Sequence, residues 1–143
     1  MTKKESEILI RDLSARLPYG IKAEIKYYDD AWELLAIYAN GTTYAARDIG
    51  YPIETYFEDC KPYLFPLSSM TDEQENEWNN LFHNPLDMLF EQDKTNNANR
   101  DKKLFLTFKS MLDPVQWAYK NHFDINGLIP MGLAKDATGL GIY

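Results

Sequence analysis

Apolar residues recur every four positions at the front of the chain, at Leu9, Leu13 and Leu17 with Ile10 beside them, while Lys4, Glu5, Glu7, Arg11, Asp12 and Arg16 are polar. That is the period of an amphipathic helix, and the spacing predicts one over 4–17. Pro18 and Gly20 end it, because proline disfavours helical backbone at the residue before it. The period then drops to two. Ile21, Ala23, Ile25 and Tyr27 alternate with Lys22, Glu24, Lys26 and Tyr28, the pattern of a strand with one buried face. Asp29-Asp30 reads as a two-residue turn and Ala31 to Ala39 as a second strand. Asn40-Gly41 reads as a two-residue hairpin turn, since both residues tolerate positive φ, and Thr42 to Asp48 as the third strand.

A turn at Asp29-Asp30 sets Tyr27 opposite Trp32, Ile25 opposite Leu34, Ala23 opposite Ala36 and Ile21 opposite Tyr38 on one face. Lys26 then meets Glu33 on the other face, an opposite-charge pair. A slip of one residue would destroy every match. Leu35, Ile37, Tyr44 and Ala46 fall on the reverse face, so the second strand is expected in the middle with cover on both sides.

Beyond the meander, Pro52, Pro62 and Pro66 break up an irregular aromatic and acidic stretch over 50–66. Thr71-Asp72-Glu73-Gln74 is a capping box and opens a helix from 72 to about 83, with Trp78, Leu81 and Phe82 inward. Pro85 starts a short apolar turn over 86–90. The polar stretch 91–103 is expected to be a surface loop that packs poorly, and Leu104, Phe105, Phe108, Met111 and Leu112 recur at helical spacing. Asp113-Pro114 begins another helix, to about 122, and Asp124-Ile125-Asn126-Gly127 is a turn before a glycine-bearing tail. The expected fold is α+β in a single domain over 1–143: an N-terminal helix, a three-stranded antiparallel meander, and a mostly helical C-terminal half.

Composition narrows the function classes. The 143 residues carry 22 acidic and 15 basic side chains, a formal net charge of −7. A net-negative surface repels phosphate backbones, which argues against nucleic-acid binding. The basic group Lys94, Arg100, Lys102, Lys103 and Lys109 is interrupted by acids and lies outside any recognisable nucleic-acid motif. The longest apolar run, Leu34 to Ala39, falls far short of the ~20 residues of a membrane helix. The first residues lack the apolar stretch of a secretory signal, and a single cysteine, Cys60, suits a reducing compartment, so a cytoplasmic location is expected. Twenty aromatic residues, 14% of the chain, supply core material or a recognition surface.

Two blocks carry a likeness. Lys61-Pro62-Tyr63-Leu64-Phe65-Pro66-Leu67-Ser68-Ser69-Met70-Thr71, and the stretch 117–137 with Asn121-His122-Phe123-Asp124 and Gly127-Leu128-Ile129-Pro130-Met131-Gly132-Leu133-Ala134, resemble a family of short uncharacterised proteins encoded mainly in phages and integrated mobile elements of gut anaerobes. The likeness covers roughly a quarter of the chain and leaves the meander out. Phe65 stands where the family pattern has Arg, and Ile125-Asn126 where it has Tyr-Arg. The resemblance implies a genomic setting rather than a reaction.

Chemistry-bearing residues are few. His122 and Asp124 could form an acid–base pair, a carboxylate orienting an imidazole; equally, a His and an Asp at a helix end before Gly127 serve to satisfy loose backbone groups. Cys60 with His83 or His122 as base would make a nucleophile, against the commoner reading of a buried thiol. Two His and one Cys give no paired metal-ligand spacing, and no cofactor motif is present; Gly127 and Gly132 match the first spacing of a phosphate loop, but Leu133-Ala134 occupies its Lys-Ser/Thr place. Trp117, Tyr119 and Phe123 bring three aromatics into one short segment. On a helix, Tyr119 and Phe123 share a face while Trp117 points away, so one side is either covered by the tail or open to a partner. The expected function is therefore a non-catalytic accessory protein that binds another protein, most simply one of the host cell, with a small hydrolase or transferase using His122 and Asp124 as the alternative.

Overall fold

The computed structural model describes residues 1–90 and 113–143, with side chains over 1–81 and 113–143. The expected loop over 91–103, the apolar helical run 104–112 and the basic group from Lys94 to Lys109 lie outside the described residues. The chain forms two compact units, Met1–Ser69 with Tyr119–Tyr143, and Met70–Ala118.

In the first unit, helix α1 spans Lys3–Arg16. Thr2 caps it, its hydroxyl accepting from the Glu5 N–H while the Glu5 carboxylate accepts from the Thr2 N–H. A short 3₁₀ turn at Leu17–Tyr19 ends at Gly20, whose φ of 74° closes the helix. Strands follow: β1 (Lys22–Ile25), β2 (Ala31–Ile37), β3 (Thr42–Ala46), β4 (Ile53–Tyr56), β5 (Cys60–Leu64) and β6 (Lys135–Asp136). Among the described residues they form one six-stranded sheet in the order β4-β3-β2-β1-β5-β6, antiparallel except for β5 against β6. The three-stranded meander is thus the middle of a wider sheet. Leu9 and Leu13 of α1 pack on the face that carries Ile21, Ala23, Ile25, Trp32 and Leu34.

Ile21, Ala23 and Ile25 in β1 and Trp32 and Leu34 in β2 face inward as the alternation predicts, whereas Ala36 and Tyr38 do not, and the register differs. Ala23 pairs with Trp32 and Lys22 with Glu33, and the Leu34 N–H donates to the Ile21 carbonyl at 3.0 Å. The strand pair is displaced by four residues from the expected register because β1 stops at Ile25. The Tyr28 N–H bonds back to the Ile25 carbonyl, and Tyr27, at φ 72°, leaves the sheet instead of facing Trp32.

The second hairpin also differs. Its loop has three residues, Ala39-Asn40-Gly41, between Tyr38 and Thr42, whose N–H and carbonyl bond at 2.8 Å. Gly41 takes φ 89°, the left-handed position that such a loop requires. A bulge between Leu34 and Ala36 in β2 turns Ile37 onto the core side opposite Thr43, while Leu35 is exposed. So Ile37 is not on the reverse face.

The irregular reading of 50–66 is replaced by β4 and β5. Pro62 is tolerated in β5 for a geometric reason. The Lys26 N–H bonds the Asp59 carbonyl, so the bonded partners run through Glu24 and Lys61, and the Pro62 nitrogen faces away from β1. β6 pairs only with Tyr63 and Leu64, and no ladder bond asks for the missing N–H.

In the second unit, α2 runs Asp72–Phe90, capped as expected by Thr71 and Gln74. It continues through Pro85 instead of ending near 83, the helix-forming Leu86, Met88 and Leu89 extending it beyond the proline. The rings of Trp78 and Trp117 meet at 5.5 Å. Helix α3 covers 113–120. Residues 121–143 are turns, the short β6 and extended chain, so the C-terminal half is not mostly helical. His122, Gly127, Gly132, Gly139 and Gly141 all take positive φ there, which breaks any helix.

Candidate partner-binding surface

His122 takes φ 63° directly after α3 and stops it. Its ring stacks on Tyr143, and its Nδ1 has no hydrogen-bond partner among the described residues. Burial, and then the Arg16 guanidinium, push its pKa down to about 4, so the imidazole is neutral at neutral pH and a weak proton acceptor. Both oxygens of Asp124 serve the backbone: they accept from the Leu128 and Ile129 N–H groups at 2.8 and 2.9 Å. Cys60 is fully buried, and desolvation with the nearby Asp59 pushes its thiol up to about 12. The side chain of His83 lies outside the description.

Tyr119 and Phe123 do not share the helical face expected of them. α3 ends before Phe123, which forms an isolated parallel bridge with Phe65 at the end of β5 and is 2% exposed. Tyr119 lies beneath the Arg16 guanidinium, 4.8 Å from its centre. Trp117 packs against Trp78, both in the second unit.

Arg16 itself belongs to a buried polar knot. Its Nε donates to Asp12 Oδ1 at 2.6 Å and its Nη2 to the Phe123 carbonyl at 2.8 Å, while the Asn126 amide donates to Asp12 Oδ2 at 2.7 Å. Both charged side chains are fully buried. Sequence reasoning placed them on the polar side of α1, yet positions 9, 12, 13 and 16 fall on one helical stripe, and that spacing was the available signal. The knot fastens the segment after α3 to α1. It is structural.

Exposed aromatics gather elsewhere, on the β1–β2 and β3–β4 loops at one end of the sheet. Trp32, 3% exposed, organises them. Its indole N–H donates to the Asp29 carbonyl at 3.1 Å, its ring takes the edge of Tyr28, and Arg47 lies over its face at 4.9 Å. Arg47 reaches across to Asp30 at 3.3 Å and donates to the Ile49 carbonyl at 3.0 Å, so one side chain ties both loops. Around this frame Tyr27, Ile49 and Tyr51 are 89%, 81% and 91% exposed. Beside them opens a depression of about 480 Å³ lined by residues that include Asp30, Glu33, Arg47 and Asp48. Large apolar side chains held out by an anchored loop frame lose little freedom when a partner covers them.

Alternation hid this surface, because Tyr27 reads as a core position. Ile49 was the clue, an apolar residue inside the turn signal Asp48-Ile49-Gly50. Among the described residues, no group of three or more His, Cys, Asp and Glu is placed to hold a metal ion, and no helix is long and apolar enough to cross a membrane. No protein-family model, curated protein or solved structure matches this chain.

Proposed function

We propose that this chain is a non-catalytic accessory protein of a phage or mobile element, and that it binds another protein of the host cell through the loop end of its sheet. One observation carries the reading: Tyr27, Ile49 and Tyr51 stand almost wholly in solvent on two loops that Arg47 ties together. Large side chains gathered in solvent on one anchored frame suit a surface that a partner covers, and tyrosine is favoured at the centres of protein interfaces. The genomic setting rests on the resemblance of blocks 61–71 and 117–137. His122 and Asp124 support catalysis less well, since the carboxylate is committed to backbone groups and the imidazole is a weak base.

The test is capture from native-host lysate on the immobilised full chain, with mass spectrometry, against a Tyr27→Ser/Ile49→Ser/Tyr51→Ser variant and a Tyr119→Phe control. The expected result is a host protein retained by the parent and the control and lost by the triple variant, at an unchanged melting temperature. Equal capture by the triple variant would overturn the assignment.

A further inference from the structure

The charges around the loop end are not evenly used. Each basic side chain there has a partner within the fold. Arg47 pairs with Asp30, the Lys26 ammonium lies 5.0 Å from the centre of the Tyr27 ring, and Lys22 donates to the Ile142 carbonyl at 3.2 Å. The acids are treated differently. Asp29, Glu33 and Asp48 are exposed, and their carboxylates have no ion pair or hydrogen bond among the described residues. The surface therefore presents exposed aromatic rings, Tyr51 and the side of Tyr27 away from Lys26, interleaved with unpaired negative charge.

The fold already shows what such a pairing accepts. Arg47 fills it internally, its guanidinium over the face of Trp32 and on the carboxylate of Asp30. A planar, weakly hydrated guanidinium satisfies both at once, which a compact ammonium does less well. Tyr27 and Asp29 are both exposed on the first loop, and Tyr51 and Asp48 on the second, so each loop carries the same two elements.

We propose that the loop end recognises an arginine-bearing segment of its protein partner, guanidinium groups stacking on Tyr27 and Tyr51 and pairing with Asp29 on the first loop and with Glu33 and Asp48 in the depression. This rests on the binding function proposed above and names the chemistry of the bound segment. The partner's segment has to be extended, because the carboxylates are spread over two loops and a strand.

The experiment uses the full chain and three labelled peptides of equal length, in which glycine alternates with arginine, lysine or glutamate, read by fluorescence anisotropy. The arginine peptide is expected to bind at least tenfold tighter than the lysine peptide, and the glutamate peptide not at all. Asp29→Asn/Glu33→Gln/Asp48→Asn should weaken it at least tenfold. Neutralising Asp72, Glu73 and Glu75 on α2, an equally acidic set, should leave it unchanged. Raising NaCl from about 50 to about 500 mM should weaken it, as exposed charge pairs are screened. Equal binding of the arginine and lysine peptides, or equal loss from the α2 neutralisation, would reduce the effect to bulk negative charge and overturn the proposal. The two readings fail separately. If the host protein is lost with the Tyr27/Ile49/Tyr51 variant but survives neutralisation of Asp29, Glu33 and Asp48, the binding surface stands and its arginine chemistry falls.

Discussion

The imidazole of His122 lies flat on the phenol of Tyr143, ring centroids 3.6 Å apart and planes 8° from parallel. The Tyr143 hydroxyl reaches between two strands, accepting from the Lys22 N–H at 3.1 Å and donating to the Tyr63 carbonyl at 2.8 Å. This stack closes the gap between β1 and β5 beyond their last paired residues, so a change at the histidine is felt by the sheet.

Acid should loosen it. Burial and Arg16 lower the His122 pKa from 6.5 to about 4. The unfolded chain takes up a proton as pH falls through about 6.5, while the folded chain refuses it until about 4, so this contribution is full above 6.5 and lost on the way down to 4. The urea midpoint should fall between pH 7 and pH 5. In His122→Asn, which tolerates the left-handed backbone, the fall should be smaller. Parallel curves for parent and variant would show that His122 is not the group responsible.

Gly41 is fixed by two independent demands. Its φ is 89°, and a Cβ would run into the ring of Tyr56. Gly41→Ala is expected to cost about 2–5 kcal/mol, one to two from the backbone and one to three from overpacking. Gly139, at φ 74° with open space around it, should lose only the first part on the same substitution. Chemical denaturation of the two variants gives the comparison.

Removing one member of the buried Asp12–Arg16 pair strands the other. Asp12→Ala should cost about 3–5 kcal/mol, because the guanidinium would stay buried without its counter-charge. Asp12→Leu/Arg16→Met should cost less than the sum of the two single changes. A double-mutant cycle by urea unfolding measures the coupling.

Cys60 should be inert in the native protein. Its thiol is fully buried and pushed up to about 12, leaving almost no thiolate at mildly alkaline pH. A disulfide reagent should label it only at the rate of unfolding, and at once in denaturant. Fast native labelling would contradict the buried placement.

Local physics was readable from residues alone. The start of α1, the Thr71–Gln74 box and the opening of α3 at Asp113-Pro114 each depend on neighbours a few positions apart, and so does the alternation that sends Ile21, Ala23 and Ile25 inward. The β1–β2 register was not readable. A shift of four, being even, keeps Ile21, Ala23, Ile25, Trp32 and Leu34 on the same face and lets Lys22 replace Lys26 opposite Glu33, so the pattern scores both alike; the left-handed Tyr27 decides between them. The bulge at Leu35 flips the later residues of β2 without any glycine or proline to mark it. β5 and β6 meet across about half of the chain, and no short-range signal announces that pairing. The candidate surface was hidden for a related reason: an aromatic residue in an alternating run looks the same whether it enters the core or leaves the sheet just before it.

The order of strands in the sheet is not their order along the chain, and this bears on how the protein folds. β1 to β4 meet through short loops and can pair early, whereas β6 has to find β5 after a closure of many tens of residues. Loop entropy grows only slowly with length, so the delayed contact costs little more at equilibrium, but distant pairing slows the search. Until Lys135 and Asp136 arrive, Tyr63 and Leu64 present an unpaired strand edge, and a second copy of the chain could occupy it. The short parallel strand near the end of the sequence thus acts as a latch, and concentration during refolding should matter most for chains in which it has yet to close.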